Sequence, residues 1–201
     1  MKLIKEIIHE LKEHIPFTCA ATLISIILIL ILLKLSSINL AVPFFYLFHP
    51  IHILFSAMVS SAIFYHYKKR ILPSILIGIF ISIIIGSISD VFFPYLGSLL
   101  FGISISFHLP ELEMPLIILG VGILGAILGI WIKKTKYPHF LHVFISVFAS
   151  LLYIFAYSTE FSFLNLFFIL IITSISVVVP CCLGDIVLPL LFKEKLRSKT
   201  K

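Results

Sequence analysis

Two stretches of the chain repeat one spacing of imidazoles and hydroxyls. The first holds His49, His52, Ser56 and Ser60, the second His139, His142, Ser146 and Ser150, and both read H-x2-H-x3-S-x3-S. In each half, a later apolar stretch carries a small residue, an aspartate and, four positions on, a proline. These are Ser89, Asp90 and Pro94 in SDVFFP, and Gly184, Asp185 and Pro189 in GDIVLP. Steps of three and four residues place side chains on one face of a helix, so each stretch presents a narrow polar stripe. Imidazole with carboxylate, joined by thiolate from Cys181 or Cys182, is a ligand set for zinc, manganese, iron, cobalt or nickel rather than for calcium or magnesium. The expected metal ligands are therefore His49, His52, Asp90, His139, His142 and Asp185. Cys181, Cys182, Ser56, Ser60, Ser146, Ser150, His9, Glu13, His108 and Glu113 are candidates for further ligands or polar lining. The plainer alternative makes the histidines interfacial hydrogen-bonders and the aspartates polar residues beside a kink.

Proline cannot donate to the carbonyl four residues before it, and its ring clashes there. Pro94 is thus expected to free the carbonyl of Asp90, and Pro189 that of Asp185, so that each break offers a carboxylate and a loose backbone oxygen. An ionised side chain within a membrane helix is costly and usually marks a pathway or a partner.

The elements that must position these residues are apolar. Hydrophobic residues make up 61% of the chain and charged residues 12%, with a mean hydropathy of +1.21, far from the balance of soluble domains. Uncharged stretches repeatedly reach the roughly 20 residues that cross hydrocarbon. The expected fold is an all-α integral membrane protein with about six spans, near 16–36, 43–66, 71–97, 115–132, 139–157 and 163–192. Cys19, Cys181 and Cys182 imply no disulfide framework, and the start of the chain reads as a retained entry helix rather than a cleaved leader.

Apart from Lys34, which can snorkel from the end of the first span, Lys and Arg fall on one side of such a fold. Lys2, Lys5 and Lys12, then Lys68 to Arg70, then Lys133, Lys134 and Lys136, then the five basic residues from Lys193 onward alternate with loops near 37–42, 98–114 and 158–162 that hold none. Basic residues concentrate in cytoplasmic loops, so both termini are expected in the cytoplasm of a multi-pass plasma-membrane protein. The net charge of +6 then reports topology and contact with anionic lipid. Aromatic residues do not interleave with the basic clusters in a nucleic-acid-binding pattern, so the bilayer and a metal ion are the expected partners.

His9 to Pro16 and His108 to Pro115 share an H-x6-P spacing, a third mark recurring in the same order as the other two. The repeat unit, residues 1–100 and 101–201, holds three spans. An odd number obliges the second copy to enter from the opposite face, giving an inverted-topology repeat within one membrane domain. Counting along the spans puts His52 and Asp90 toward the outside and His142 and Asp185 toward the cytoplasm, as two half-sites that either merge or stay separate. Gly125 and Gly129 form a GxxxG pair for helix packing, within the chain or in a homodimer.

At SDVFFP and GDIVLP the chain resembles the Ser-Asp-x-x-x-Pro segments of multi-spanning heavy-metal exporters, over under a tenth of its length and with fewer spans. That resemblance implies a secondary transporter of a divalent transition metal, with no organic cofactor. Two other classes stand beside it. A metal-dependent intramembrane hydrolase would use the same residues, but the chain has neither an H-E-x-x-H helix nor a G-x-S-x-G elbow. A substrate-binding subunit of a multi-subunit importer fits the size and orientation, as in the small six-span vitamin-binding components.

Overall fold

A computed structural model describes residues 20–31, 40–132, 136–159 and 165–182, with Pro16 and Gly184. The expected sites at His9, Glu13, Asp185 and Pro189, and the side chains of His139 and Cys182, lie outside the described residues. All regular structure described is helical. In chain order the elements are α1 (Ala20–Ile31), α2 (Ala41–Lys68), α3 (Ile71–Ser87), a π-helical turn (Ile88–Phe92), α4 (Phe93–Leu100), the single turn α5 (Pro110–Glu113), α6 (Pro115–Ile132), α7 (Lys136–Tyr157), α8 (Asn165–Val177) and a second π-helical turn (Val178–Cys182).

Among the described residues, three helical stretches are long and apolar enough to cross a membrane: Ala41–Lys68, Ile71–Leu100 and Pro115–Ile132. Their outer faces carry exposed large side chains, among them Leu72, Leu76, Phe80, Ile84, Leu116, Leu124 and Trp131. Surface of that character is compatible with lipid and not with water. The chain is a helical membrane protein.

α2 is the central element, buried along most of its length. One face is gripped by α6, where a β-carbon on Gly125 would overlap the carbonyl of Leu54 and one on Gly129 that of Met58. Only glycine permits such backbone approach, so the GxxxG pair packs two helices of the same chain. Ser61 fastens the seam by donating to the Ala126 carbonyl at 2.9 Å. The connection to α3 is two residues, with Lys69 in the left-handed region (φ 50°) donating to the Tyr65 carbonyl to close the helix.

The opposite face of α2 meets α7. Phe45, near the start of α2, packs edge-on against Tyr153 and Tyr157, near the end of α7. His52 lies against His142, nearer the start of α7. The two helices therefore run antiparallel, and their motif stripes face each other. The segment after α4 turns at Gly102 (φ 73°) and is pinned to the end of α7 by Ser106 N–H to the Tyr157 carbonyl and Thr159 N–H to the Ser104 carbonyl.

The π-helical turn is the local answer to Pro94. A wider turn removes the clash between the proline ring and the preceding turn without ending the helix, and the N–H of Phe93 reaches back five residues to the Ile88 carbonyl. Asp90 sits in the middle of that turn, which swings its side chain off the regular helical path and into the protein.

Candidate metal centre

Asp90 is fully buried and has no lysine or arginine partner among the described residues. Four side chains serve its carboxylate. Oδ2 accepts from His49 Nδ1 at 2.9 Å and from His52 Nδ1 at 2.7 Å. Oδ1 accepts from Ser89 Oγ at 2.8 Å and from Ser146 Oγ at 3.1 Å. A carboxylate has about four lone-pair sites, and all are used. Asp90 is thus an acceptor hub, and its capacity to ligate an ion directly is spent on these donors.

The histidines differ. His49 places its second nitrogen, Nε2, 3.1 Å from Glu111 Oε1, so both ring nitrogens face carboxylates and the ring is arranged as an imidazolium donor. His52 commits only Nδ1 to Asp90. That hydrogen bond fixes the tautomer and leaves the Nε2 lone pair directed away, 3.8 Å from Cys181 Sγ. His142 stacks on His52 with ring centroids 4.6 Å apart and planes 18° apart.

His52, His142 and Cys181 are all buried, and each offers one ligand atom within 4.8 Å of the others. Zinc at its usual bond lengths in a tetrahedral site separates a nitrogen and a sulfur ligand by about 3.6 Å, close to the 3.8 Å found here. A carboxylate behind a ligating imidazole is the usual device for orienting it and raising its basicity. Cys181 is steadied by Ser146, whose oxygen lies 3.3 Å from its sulfur. The Ser146 proton is directed to Asp90 and His52 Nδ1 holds that of the imidazole, so a neutral Cys181 thiol is the donor in its contact with Ser146 or with His52 Nε2, one at a time.

Glu111 closes the site on the loop side. It accepts from Ser87 Oγ at 2.6 Å as well as from His49. Burial pushes its carboxyl up, but the His49 bond and charge, with Ser87, outweigh this and hold it below the usual glutamate range. Further out, Glu113 binds Tyr46 Oη and His108 Nδ1, the latter at 3.1 Å, and the His108 ring stacks on Tyr157. These two sites hold the α5 turn over the bundle.

Of the residues singled out by sequence, His49, His52, Asp90, His142, Ser146, Ser150 and Cys181 come together in one buried cluster. Ser150 joins through its hydroxyl, 3.0 Å from the Ser89 carbonyl and 2.8 Å from that of Ser146. Ser56 and Ser60 continue the stripe of α2 away from Glu111. His108 and Glu113 stand apart at the loop surface. Pro94 is buried in the first turn of α4. The pairing of Glu111, in the α5 turn, with His49, 62 residues away, is what spacing did not reveal. Pro180, inside the second π-helical turn beside Cys181, was likewise unmarked by the D-x3-P pattern.

No protein-family model, curated protein or solved structure matches the chain.

Proposed function

We propose that the protein is a secondary carrier for a divalent transition-metal cation, with zinc, manganese, iron, cobalt and nickel as the candidate substrates. The observation that carries this reading is the convergence of His52 Nε2, His142 and Cys181 Sγ in the buried interior, with Asp90 holding the remaining nitrogen of His52. Imidazole and thiolate select such metals over the harder calcium and magnesium.

Charge supports the same reading. With Asp90 and Glu111 ionised and His49 cationic, the cluster carries one net negative charge, and a Cys181 thiolate makes two. A divalent cation neutralises this within an interior where uncompensated charge is expensive.

The three ligands come from α2, from α7 and from the turn after α8. A rigid-body shift of α7 and α8 against α2 pulls His142 and Cys181 away from His52, so affinity falls as the helices move. That coupling of ligand geometry to helix position is what a carrier needs in order to release its cargo.

The architecture we infer is six crossings arranged as two inverted three-helix repeats, residues 1–100 and 101–201, in one membrane domain with both termini cytoplasmic. In its favour, His52 and His142 hold equivalent positions in their stripes and touch each other. Each half also has a π-helical turn late in its third helix, at Ile88–Phe92 and Val178–Cys182. The basic residues 68–70 lie at the opposite end of α2 from the α5 turn, as the positive-inside rule requires.

A hydrolytic reading has one observation behind it, because three protein ligands with an open fourth position are typical of catalytic zinc. A hydrolase also needs a general base at the metal-bound water. Asp90, the carboxylate beside the candidate ligands, is saturated by four donors, which favours the carrier.

The test is transport by the full chain in liposomes enclosing a metal-sensitive dye. The native protein is expected to move at least one of the five metals and His52→Ala none. No movement of any of them, with no binding by purified protein, contradicts the reading.

A further inference from the structure

The two serine pairs of the repeated stripe are in different states. Ser146 and Ser150 are locked to the Asp90 turn and to α7 itself. Ser56 is fully buried and Ser60 is 4% exposed, yet neither hydroxyl has a hydrogen-bond partner among the described residues. A buried hydroxyl without a partner costs free energy, and in a helix the carbonyl four residues back is always within reach. Other helical hydroxyls here take that option: Ser87 bonds Ile83, Thr173 bonds Ile169 and Ser176 bonds Ile172. Ser56 and Ser60 instead stand off their own backbone. Ser25, one turn from Thr22 on α1, and Ser98 on α4 are the other buried serines without a partner among the described residues.

The position of Ser56 and Ser60 gives their state a meaning. His49, His52, Ser56 and Ser60 span about 80° of arc on α2, and successive serines are about 6 Å apart along the axis. They begin one turn beyond His52 and run toward Lys68, on the side of the metal centre opposite the Glu111 closure. Toward the loop, Glu111, His49 and Asp90 are joined in one network, which leaves Glu111 Oε2 without a partner. Toward Lys68 the stripe carries free hydroxyls at two successive steps.

We propose that Ser56 and Ser60 line one limb of the cation pathway, handing a partly hydrated divalent metal ion between the His52, His142 and Cys181 ligands and the Lys68 end of α2. This rests on the carrier reading above and adds its route. Hydroxyl oxygens suit the task because they bind a cation or its waters weakly enough for the ion to leave.

The experiment uses the detergent-purified full chain carrying Ser56→Cys, Ser60→Cys or Ala62→Cys, treated with a small cationic methanethiosulfonate. Modification is read by peptide-resolved mass spectrometry, which separates the native cysteines. Ala62 is buried but lies off the stripe. Labelling at position 60 faster than at 56, slowed by zinc at both, with position 62 protected, is the expected result. In liposomes, the Ser56→Ala/Ser60→Ala chain should transport about tenfold more slowly or worse, the size of effect of a lost hydrogen bond to a charged group, with metal content unchanged. Positions 56 and 60 as protected as 62, or undiminished transport by the double variant, would overturn the limb while metal binding by the native chain upheld the carrier. A native chain that binds no metal would instead refute the carrier itself.

Discussion

His52 and His142 stack face to face, ring centroids 4.6 Å apart, at the point where α2 and α7 cross. Each is the second histidine of its stripe, so residues that are equivalent in sequence are neighbours in space. One ligand atom of each ring and the Cys181 sulfur lie within 4.8 Å of one another. Removing either ring should therefore abolish binding rather than halve it. His52→Ala and His142→Ala are each expected to reduce metal content, measured by elemental analysis of purified protein, to near zero.

Asp90 acts one step back from that volume. Asp90→Asn keeps the shape but loses the charge that faces the His49 imidazolium and orients His52. Metal affinity should fall about 10- to 100-fold, as for other residues that orient a ligating imidazole. His49 keeps Glu111 as a counter-charge, so the fold should also be destabilised, but by less than the roughly 3–5 kcal/mol of a buried charge stripped of its partner. Competitive metal titration and thermal unfolding in detergent separate the two effects.

At the α2 and α6 seam, Gly129→Ala drives a methyl group into the Met58 carbonyl and the Ser61 hydroxyl. Overpacking of this kind costs about 1–3 kcal/mol. Gly120, on the same helix, has nothing within 4 Å of the corresponding position, so Gly120→Ala is expected to be neutral. A lowered melting temperature for the first variant only is the outcome to look for.

The seam also marks what sequence could and could not tell. GxxxG announced close packing but not its partner, which is the backbone of α2 in the same chain. Spacing alone placed His49, His52, Ser56 and Ser60 on one face, and the cost of a buried charge singled out Asp90. The Asp90 carboxylate nonetheless serves as a hub for four donors, because the π-helical turn redirects it, and the pattern of a proline four residues on does not encode that widening. The pairing of Glu111 was out of reach because loop closure onto His49 is a long-range contact with no periodicity. Cys181 was legible as a candidate thiolate ligand, but which of the adjacent Cys181 and Cys182 faces the histidines emerges only when the turn after α8 is laid beside His52.

Glu111 gives a pH dependence whose sign is fixed. Its carboxyl is held below the ordinary value of 4.5 by His49 and Ser87 against the effect of burial. A depressed carboxylate adds stability that is fully present above 4.5 and is lost as pH falls through the folded value. In metal-free buffer the native melting temperature should drop on acidification below that point more steeply than that of Glu111→Gln. Parallel curves for the two proteins would mean that the loop closure is not maintained by this ion pair.

The most direct test of the metal centre is the optical spectrum of the full chain titrated with cobalt(II). Ligation by Cys181 predicts a near-ultraviolet thiolate-to-cobalt charge-transfer band that saturates at one equivalent, vanishes in Cys181→Ser and is displaced by zinc. A native chain that takes up no cobalt, or one whose spectrum is the same with and without Cys181, would contradict the account.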